Sequence, residues 1–475
     1  MSNILRARGL SAIACILAAS FTVTGCNSGA TSPASGAAML PPALQAASMQ
    51  TPQSRSFNDI QHIVVIYQEN WSFDALYGKY PGADGVGPGT NVTQLAWNGP
   101  PLTSAPQPLD YAGNPDKRFP PQLPLTTYLA STYVPYFDRT GDIIHRFYHE
   151  QYQIDHGRMD KFVDYSDNGG LVLSQYSDSP LPEAELAKRY TLADNFFHSA
   201  FGGSFLNHQF LICACAPKWN NAPADYLSVP NKNPAKLNDN HVTPDGYAVN
   251  TSYSTYSPHP EGVSSDDLVP PLTEKTIGDR LNAARVSWKW YSGGWDAALA
   301  GHPNKLFQFH HQPFAYYQNY GDGTQLRAEH LVDQKQLAKD LARGSLPSVV
   351  FIKQIGADNE HPGYSSLLQG QTKTMQIVNS IASTPYWKNT VVIITYDENG
   401  GRWDHVAPPA IDRWGPGTRV PTLIVGPFAK RHFVDHSQYE TVSILALIEK
   451  RFHLKPLGTR DARANPFTNA LNVTQ

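Results

Sequence analysis

Three short runs of β-branched residues, each halting at a polar cluster, constrain this chain more than any other feature. His62-Ile-Val-Val-Ile-Tyr67 stops at Gln68-Glu69-Asn70. Ser348-Val-Val-Phe-Ile-Lys353 leads into Gly356-Ala-Asp-Asn-Glu-His361, and Thr390-Val-Val-Ile-Ile-Thr-Tyr396 runs directly into Asp397-Glu398. Runs that are apolar on both faces are the mark of parallel strands covered on both sides. Arg419 to Gly426 reads as a fourth strand. Helical patterns from Leu326 to Ala342, from Gln371 to Ser383, and after a capping box at Ser437-Gln-Tyr-Glu440 alternate with these strands. The expected fold class is therefore α/β with a mostly parallel central sheet, in which ligands gather at the carboxyl ends of the strands.

The first residues are kept out of the fold. Arg6 and Arg8 precede an apolar run from Leu10 to Val23, which has the layout of a secretory signal over residues 1–25 and is too short to span a bilayer. Val23-Thr24-Gly25-Cys26 resembles a bacterial lipobox, which makes Cys26 the candidate lipidated N-terminus. Residues 26–56, rich in Ala, Ser, Pro and Gln, are expected to be a flexible tether, and residues 57–475 a single catalytic domain. The expected location is the periplasm or cell surface, held to the membrane through the lipid, with secretion as the alternative.

A formal net charge of −3 with no basic block argues against nucleic acid as a partner. Cys213 and Cys215, one residue apart, are read as buried small apolar side chains and not as a disulfide framework or zinc ligands. Two stretches, about Tyr80 to Gln122 and Pro217 to Pro271, are rich in Pro, Gly, Asn and Ser and are read as long functional insertions.

Three segments carry the chemistry. Adjacent carboxylates at a strand end, as in Tyr396-Asp-Glu-Asn-Gly-Gly-Arg-Trp-Asp-His-Val-Ala-Pro-Pro409, are costly to bury unless a cation joins them. Gly400-Gly401 permits a tight turn that returns Asp404-His405 towards the first pair. Glu69-Asn-Trp-Ser-Phe-Asp74 offers a carboxylate beside a neutral amide oxygen. Gly202-Gly-Ser-Phe-Leu-Asn-His208 opens an apolar helix with a hydroxyl and free backbone N–H groups, a favourable place for a phosphate.

Together these segments resemble the bacterial phosphoesterase family, which includes acid phosphatases and non-zinc phospholipases C, within the alkaline phosphatase superfamily. Asp142-Ile-Ile-His145 with Gly157-Arg-Met-Asp160, His310-His311 ahead of Pro313-Phe314, and Asp358-Asn-Glu-His361-Pro362 extend the likeness over the chain after the tether. The resemblance implies a three-layer α/β/α sandwich and one divalent metal held by Glu69, Asn70, Asp397 and Glu398, with Ser204 as nucleophile and further ligand. It places Asn207, His145, His311, His361 and His405 around the phosphate, with His310 competing with His311 for one role. Oxygen ligands favour Ca²⁺, Mg²⁺ or Mn²⁺ over zinc.

The implied activity is hydrolysis of a small phosphoester through a phosphoserine. Phosphomonoesters are expected to be preferred, because no C-terminal module follows the last helix. Phospholipase C action on a headgroup is the near alternative, with Trp219, Tyr226 and Tyr247 of the second insertion as candidate lipid contacts. A non-catalytic phosphate-binding surface lipoprotein would require loss of Ser204, Glu69 or Asp397, and all are present. An acyl-ester serine hydrolase is disfavoured because no Gly-x-Ser-x-Gly surrounds Ser204.

Overall fold

The three β-branched runs form the middle of one sheet. The computed structural model describes residues 40–49, 55–177 and 181–474. The expected signal, Cys26 and most of the tether lie outside the described residues. The central sheet contains β1 (His62–Gln68), β2 (Thr191–Ala193), β3 (Trp288–Ser292), β4 (Leu331–Asp333), β5 (Val349–Lys353), β6 (Thr390–Tyr396), β7 (Thr422–Val425) and β8 (Phe433–Asp435). Their order is β4-β3-β5-β1-β6-β7-β2-β8. Only β7 pairs antiparallel with its neighbours β6 and β2; every other pairing is parallel. The mostly parallel α/β sheet expected from the sequence is present.

Every residue of β1, β5 and β6 is buried, which accounts for their unbroken apolar character. The helices used below are α1 (Pro42–Ser48), α2 (Phe147–Ile154), α3 (Ser204–Cys213), α4 (Gln336–Arg343), α5 (Leu367–Ala382) and α6 (Thr441–Phe452). All ten residues of α3 are buried, as are the first nine of α6. A second apolar cluster packs Val92, Ala105 and Phe119 of the first insertion against residues that follow it, among them Leu123, Val134, Phe162 and Leu171.

The structure corrects four local expectations. The tether is not uniform: Pro42–Ser48 form α1, where Leu44 is buried and its N–H donates to Asn379 Oδ1 of α5 at 3.4 Å. The helix expected from Leu326 to Ala342 is broken by β4, which adds to the sheet edge between Gln325–His330 and α4. The last helix starts three residues later than the Ser437 box implied: Glu440 is its N-cap, and its N–H donates to Ser443 Oγ at 3.0 Å.

The fourth correction concerns Cys213 and Cys215, which form a disulfide with their Cα atoms 5.1 Å apart. Ala214 closes α3 in the left-handed conformation (φ 51°), and that sharp reversal brings two cysteines one residue apart within bonding range.

Candidate active site

Because β5, β1 and β6 lie side by side in parallel, their carboxyl ends deliver three polar segments to one edge. β1 yields Glu69 and Asn70, β5 yields Lys353 and the turn to His361, and β6 yields Asp397 and Glu398. Backbone bonds lock the segments together: Glu69 N–H donates to Asn359 O at 3.0 Å, and Asp397 N–H to Gln68 O at 3.1 Å. Asn70 holds a left-handed conformation (φ 70°), a strain typical of functional turns. Gly400 (φ 60°) packs so closely that a Cβ there would lie 2.7 Å from Asn70 O.

Ser204 is the first residue of α3 and is preceded by Gly203. A Cβ on Gly203 would stand 2.8 Å from His145 O, so only glycine lets the serine turn approach the His145 segment. The Ser204 hydroxyl donates to Glu69 Oε2 at 3.3 Å. The nucleophile candidate thus sits at the positive end of a buried helix, against a carboxylate.

The oxygens of this cluster crowd one another. An amide atom of Asn70 lies 2.8 Å from Glu398 Oε1, 3.2 Å from Asp397 Oδ1 and 3.0 Å from Glu69 Oε2. With the amide oxygen there, four acceptors converge with no proton among them, an arrangement that a hard cation satisfies. Reversing the amide satisfies the same pocket without a cation: the NH₂ then donates to the carboxylates and the oxygen accepts from His361 Nε2 at 3.0 Å. With the amide oxygen inward, the donor set fits a divalent ion held by oxygen. Glu69, His208 and His311 also bring ligand atoms within 4.8 Å of one another, but Lys353 already occupies that side of Glu69.

The electrostatics carry the same signature. Burial, and then the neighbouring Glu69 charge, pushes Asp397 up to about 7; burial and the Asp397 charge push Glu398 well above the usual carboxylate range. Burial acts on Glu69 in the same direction, but His311 and Lys353 outweigh it and hold Glu69 well below its usual value. Carboxylates that resist ionisation in each other's company ionise once a cation joins them.

A cavity of 510 Å³ opens over Ser204 and Glu69 and is lined by His145, His310, His311 and His361 among others. His145 Nδ1 donates to Ile143 O at 2.5 Å, which leaves Nε2 3.4 Å from Glu398 Oε1. His361 Nδ1 donates to Pro362 O at 2.6 Å, and its ring stacks on Tyr364 at 4.0 Å. His311 Nε2 meets Glu69 Oε1 at 2.8 Å, and burial lowers that imidazole to about 4. His310 remains buried with Nδ1 unpartnered, so both members of the His310-His311 pair face the site.

Two residues expected near the phosphate have protein partners of their own. Asn207 staples the loop ahead of Ser204: its Oδ1 accepts from Ala200 N at 2.9 Å and its Nδ2 donates to Ala200 O at 2.9 Å. His405 does return with Asp404 to the first segment, but Asp74 captures it. His405 Nδ1 lies 2.7 Å from Asp74 Oδ2 and Nε2 lies 3.2 Å from Asp84 Oδ1, while Arg419 bridges Asp404 and Asp74. Neither residue lines the cavity.

Of the insertion aromatics, Trp219 is buried against Tyr226, and the second insertion instead contributes His241, Asn250, Thr251 and Tyr253 to the cavity wall. Sequence reasoning missed Lys353 and His208. Lys353 is fully buried between Glu69 and Asp397, and the only signal for it was its place at the end of an apolar strand run. His208, one helical turn after Ser204, stacks on His311 at 5.0 Å.

The model of the Phosphoesterase family matches residues 60–455. The chain is 24% identical over 470 residues to a non-hemolytic phospholipase C of Pseudomonas aeruginosa, covering 91% of this chain and 59% of that protein. It is 32% identical over 232 residues to non-specific phospholipase C6 of Arabidopsis thaliana, covering 42% of this chain and 41% of that protein. The chain thus spans less than two thirds of the length of either relative. Among solved structures, a protein of the alkaline phosphatase superfamily from Vibrio parahaemolyticus aligns at 10% identity with a TM-score of 0.34, over 88% of this chain and 76% of that one.

Proposed function

The chain belongs to the Phosphoesterase family, and from that premise we propose that it is a metal-dependent phosphoester hydrolase that works through a phosphoserine on Ser204. One observation carries the reading: the converging oxygens of Glu69, Asn70, Asp397 and Glu398 stand beside the Ser204 hydroxyl at the start of α3, under a cavity lined by five histidines. A divalent ion held by these oxygens would stabilise the serine alkoxide and neutralise charge on the phosphoryl group. Oxygen donors favour Ca²⁺, Mg²⁺ or Mn²⁺.

The chain's own residues account for the rest. In the resting arrangement the Ser204 hydroxyl donates a hydrogen bond to Glu69 Oε2, which would take its proton as the oxygen attacks. The serine oxygen attacks phosphorus, the leaving alkoxide departs with a proton from a histidine facing the cavity, and water later cleaves the phosphoserine. His145 and His361 suit these proton transfers, because each spends Nδ1 on a carbonyl and turns Nε2 towards the cluster.

A divalent ion together with the cavity histidines would serve a monoester or a diester. The names of the relatives, together with Asp142 and Asp167 on the cavity wall, favour phospholipase C cleavage of a headgroup diester as a second reading. Assay of p-nitrophenyl phosphate against p-nitrophenylphosphorylcholine, with divalent metals supplied, decides between them: the larger kcat/KM identifies the substrate class. Activity on neither overturns the enzyme reading.

Export as a lipoprotein belongs to the same proposal. Its support is the Val23–Cys26 lipobox and the Cys213–Cys215 disulfide, a bond that persists in oxidising compartments. Mass spectrometry of the mature protein should find acyl chains on Cys26; a free N-terminus elsewhere overturns the anchor.

A further inference from the structure

Lys353 has no task in the phosphoserine route. It is fully buried at the end of β5 and does not line the cavity, so it touches no substrate. Its ammonium contacts Glu69 Oε1, stands 3.6 Å from Asp397 Oδ2, and donates to Gln68 O at 3.4 Å. Each carboxylate is thereby divided. Glu69 Oε1 and Asp397 Oδ2 face the lysine, whereas Glu69 Oε2 and Asp397 Oδ1 face the Asn70 amide, where the four acceptors converge.

The lysine also changes the charge that a cation meets. Glu69, Asp397 and Glu398 carry three negative charges when ionised, and Lys353 cancels one. Among these four side chains two formal negative charges remain, the complement of a divalent ion. We infer that Lys353 is a positioning residue that fixes the charge of the cation the site accepts, by holding one oxygen of Glu69 and one of Asp397 outward and neutralising one of three carboxylates. The inference rests on the metal reading above.

The test compares Ca²⁺ with Tb³⁺, ions of similar size that differ by one charge, so their affinity ratio reads charge and cancels any general loosening of the site. Full-length protein is stripped with chelator; Ca²⁺ binding is followed by calorimetry and Tb³⁺ by luminescence, with no substrate present. Lys353→Met is expected to raise the Tb³⁺-to-Ca²⁺ affinity ratio at least about tenfold over the unmodified protein, and Lys353→Arg to leave it unchanged. An unchanged ratio in Lys353→Met, or an equal rise in Lys353→Arg, overturns the inference.

Should Lys353→Met be insoluble without metal, refolding in each ion replaces the titration. Recovery in Tb³⁺ but not in Ca²⁺ supports the inference, and equal recovery or none overturns it. Failure of the unmodified protein to bind either ion would instead sink the metal reading, so the two failures are distinguishable.

Discussion

Ser204 and Asp397 make separable demands on the site. Ser204→Ala removes the nucleophile and leaves three carboxylates and an amide in place, so the fold and most cation binding should persist while kcat falls at least about 1,000-fold. Rapid-quench trapping with ³²P-labelled substrate should label Ser204 in the parent protein; label on another residue refutes the assignment. Asp397→Asn keeps the shape and removes a charged donor, so the cation dissociation constant should rise at least about tenfold, and activity with it be lost. Calorimetry finding parental affinity in this variant would count against the whole cluster. Asp397 was legible in the sequence because acids at the ends of apolar strands have few structural uses, and Ser204 because two glycines and a serine open an apolar helix. Lys353 was not, since one lysine at a strand end is ordinary until β5 is known to lie against β1. The contacts that Asn207 and His405 make, with the Ala200 backbone and with Asp74, were not legible in the sequence either.

At the level of elements, α2 depends on a distant loop. Its N-cap, Arg146, makes no side-chain capping bond. Asp239 Oδ2 of the second insertion instead accepts from Tyr148 N at 2.7 Å and His149 N at 2.9 Å, and Asn250 Oδ1 accepts from Phe147 N at 3.1 Å. His145 sits two residues before this helix, so the insertion steadies a cavity histidine through the helix it caps. Asp239→Ala should cost about 1–2 kcal/mol of stability by urea melting and lower kcat; lost stability with unchanged kcat would separate the cap from the histidine. Strand runs and the insertions were readable from periodicity and composition. The cap was not, because its partners lie far apart in sequence, and β4 hid inside a pattern that fits a helix until the sheet edge claims it.

Across the molecule, the segments around Asp74, Asp84, Asp404 and Arg419 are clamped by His405. Burial disfavours the charged imidazole, but the Asp74 and Asp404 carboxylates outweigh it and lift His405 from 6.5 to about 8. A value raised in the folded state means that this contribution to stability is fully present below pH 6.5 and is lost as pH rises through about 8. The melting temperature should therefore drop between these limits, and His405→Gln should flatten the drop; an equal drop in the variant assigns it to other groups. The sheet itself has a kinetic consequence. Glu69 and Asn70 come from its first strand, Ser204 from a middle helix, and Asp397 and Glu398 from a late strand, so no stretch of chain alone can hold a cation. On refolding, capture must wait until β1, β6 and α3 have come together, and we expect that assembly to follow the main barrier. Stabilisation that arrives so late acts on the return path. In stopped-flow measurements, added cation should slow unfolding in proportion to occupancy and leave the refolding rate where it was.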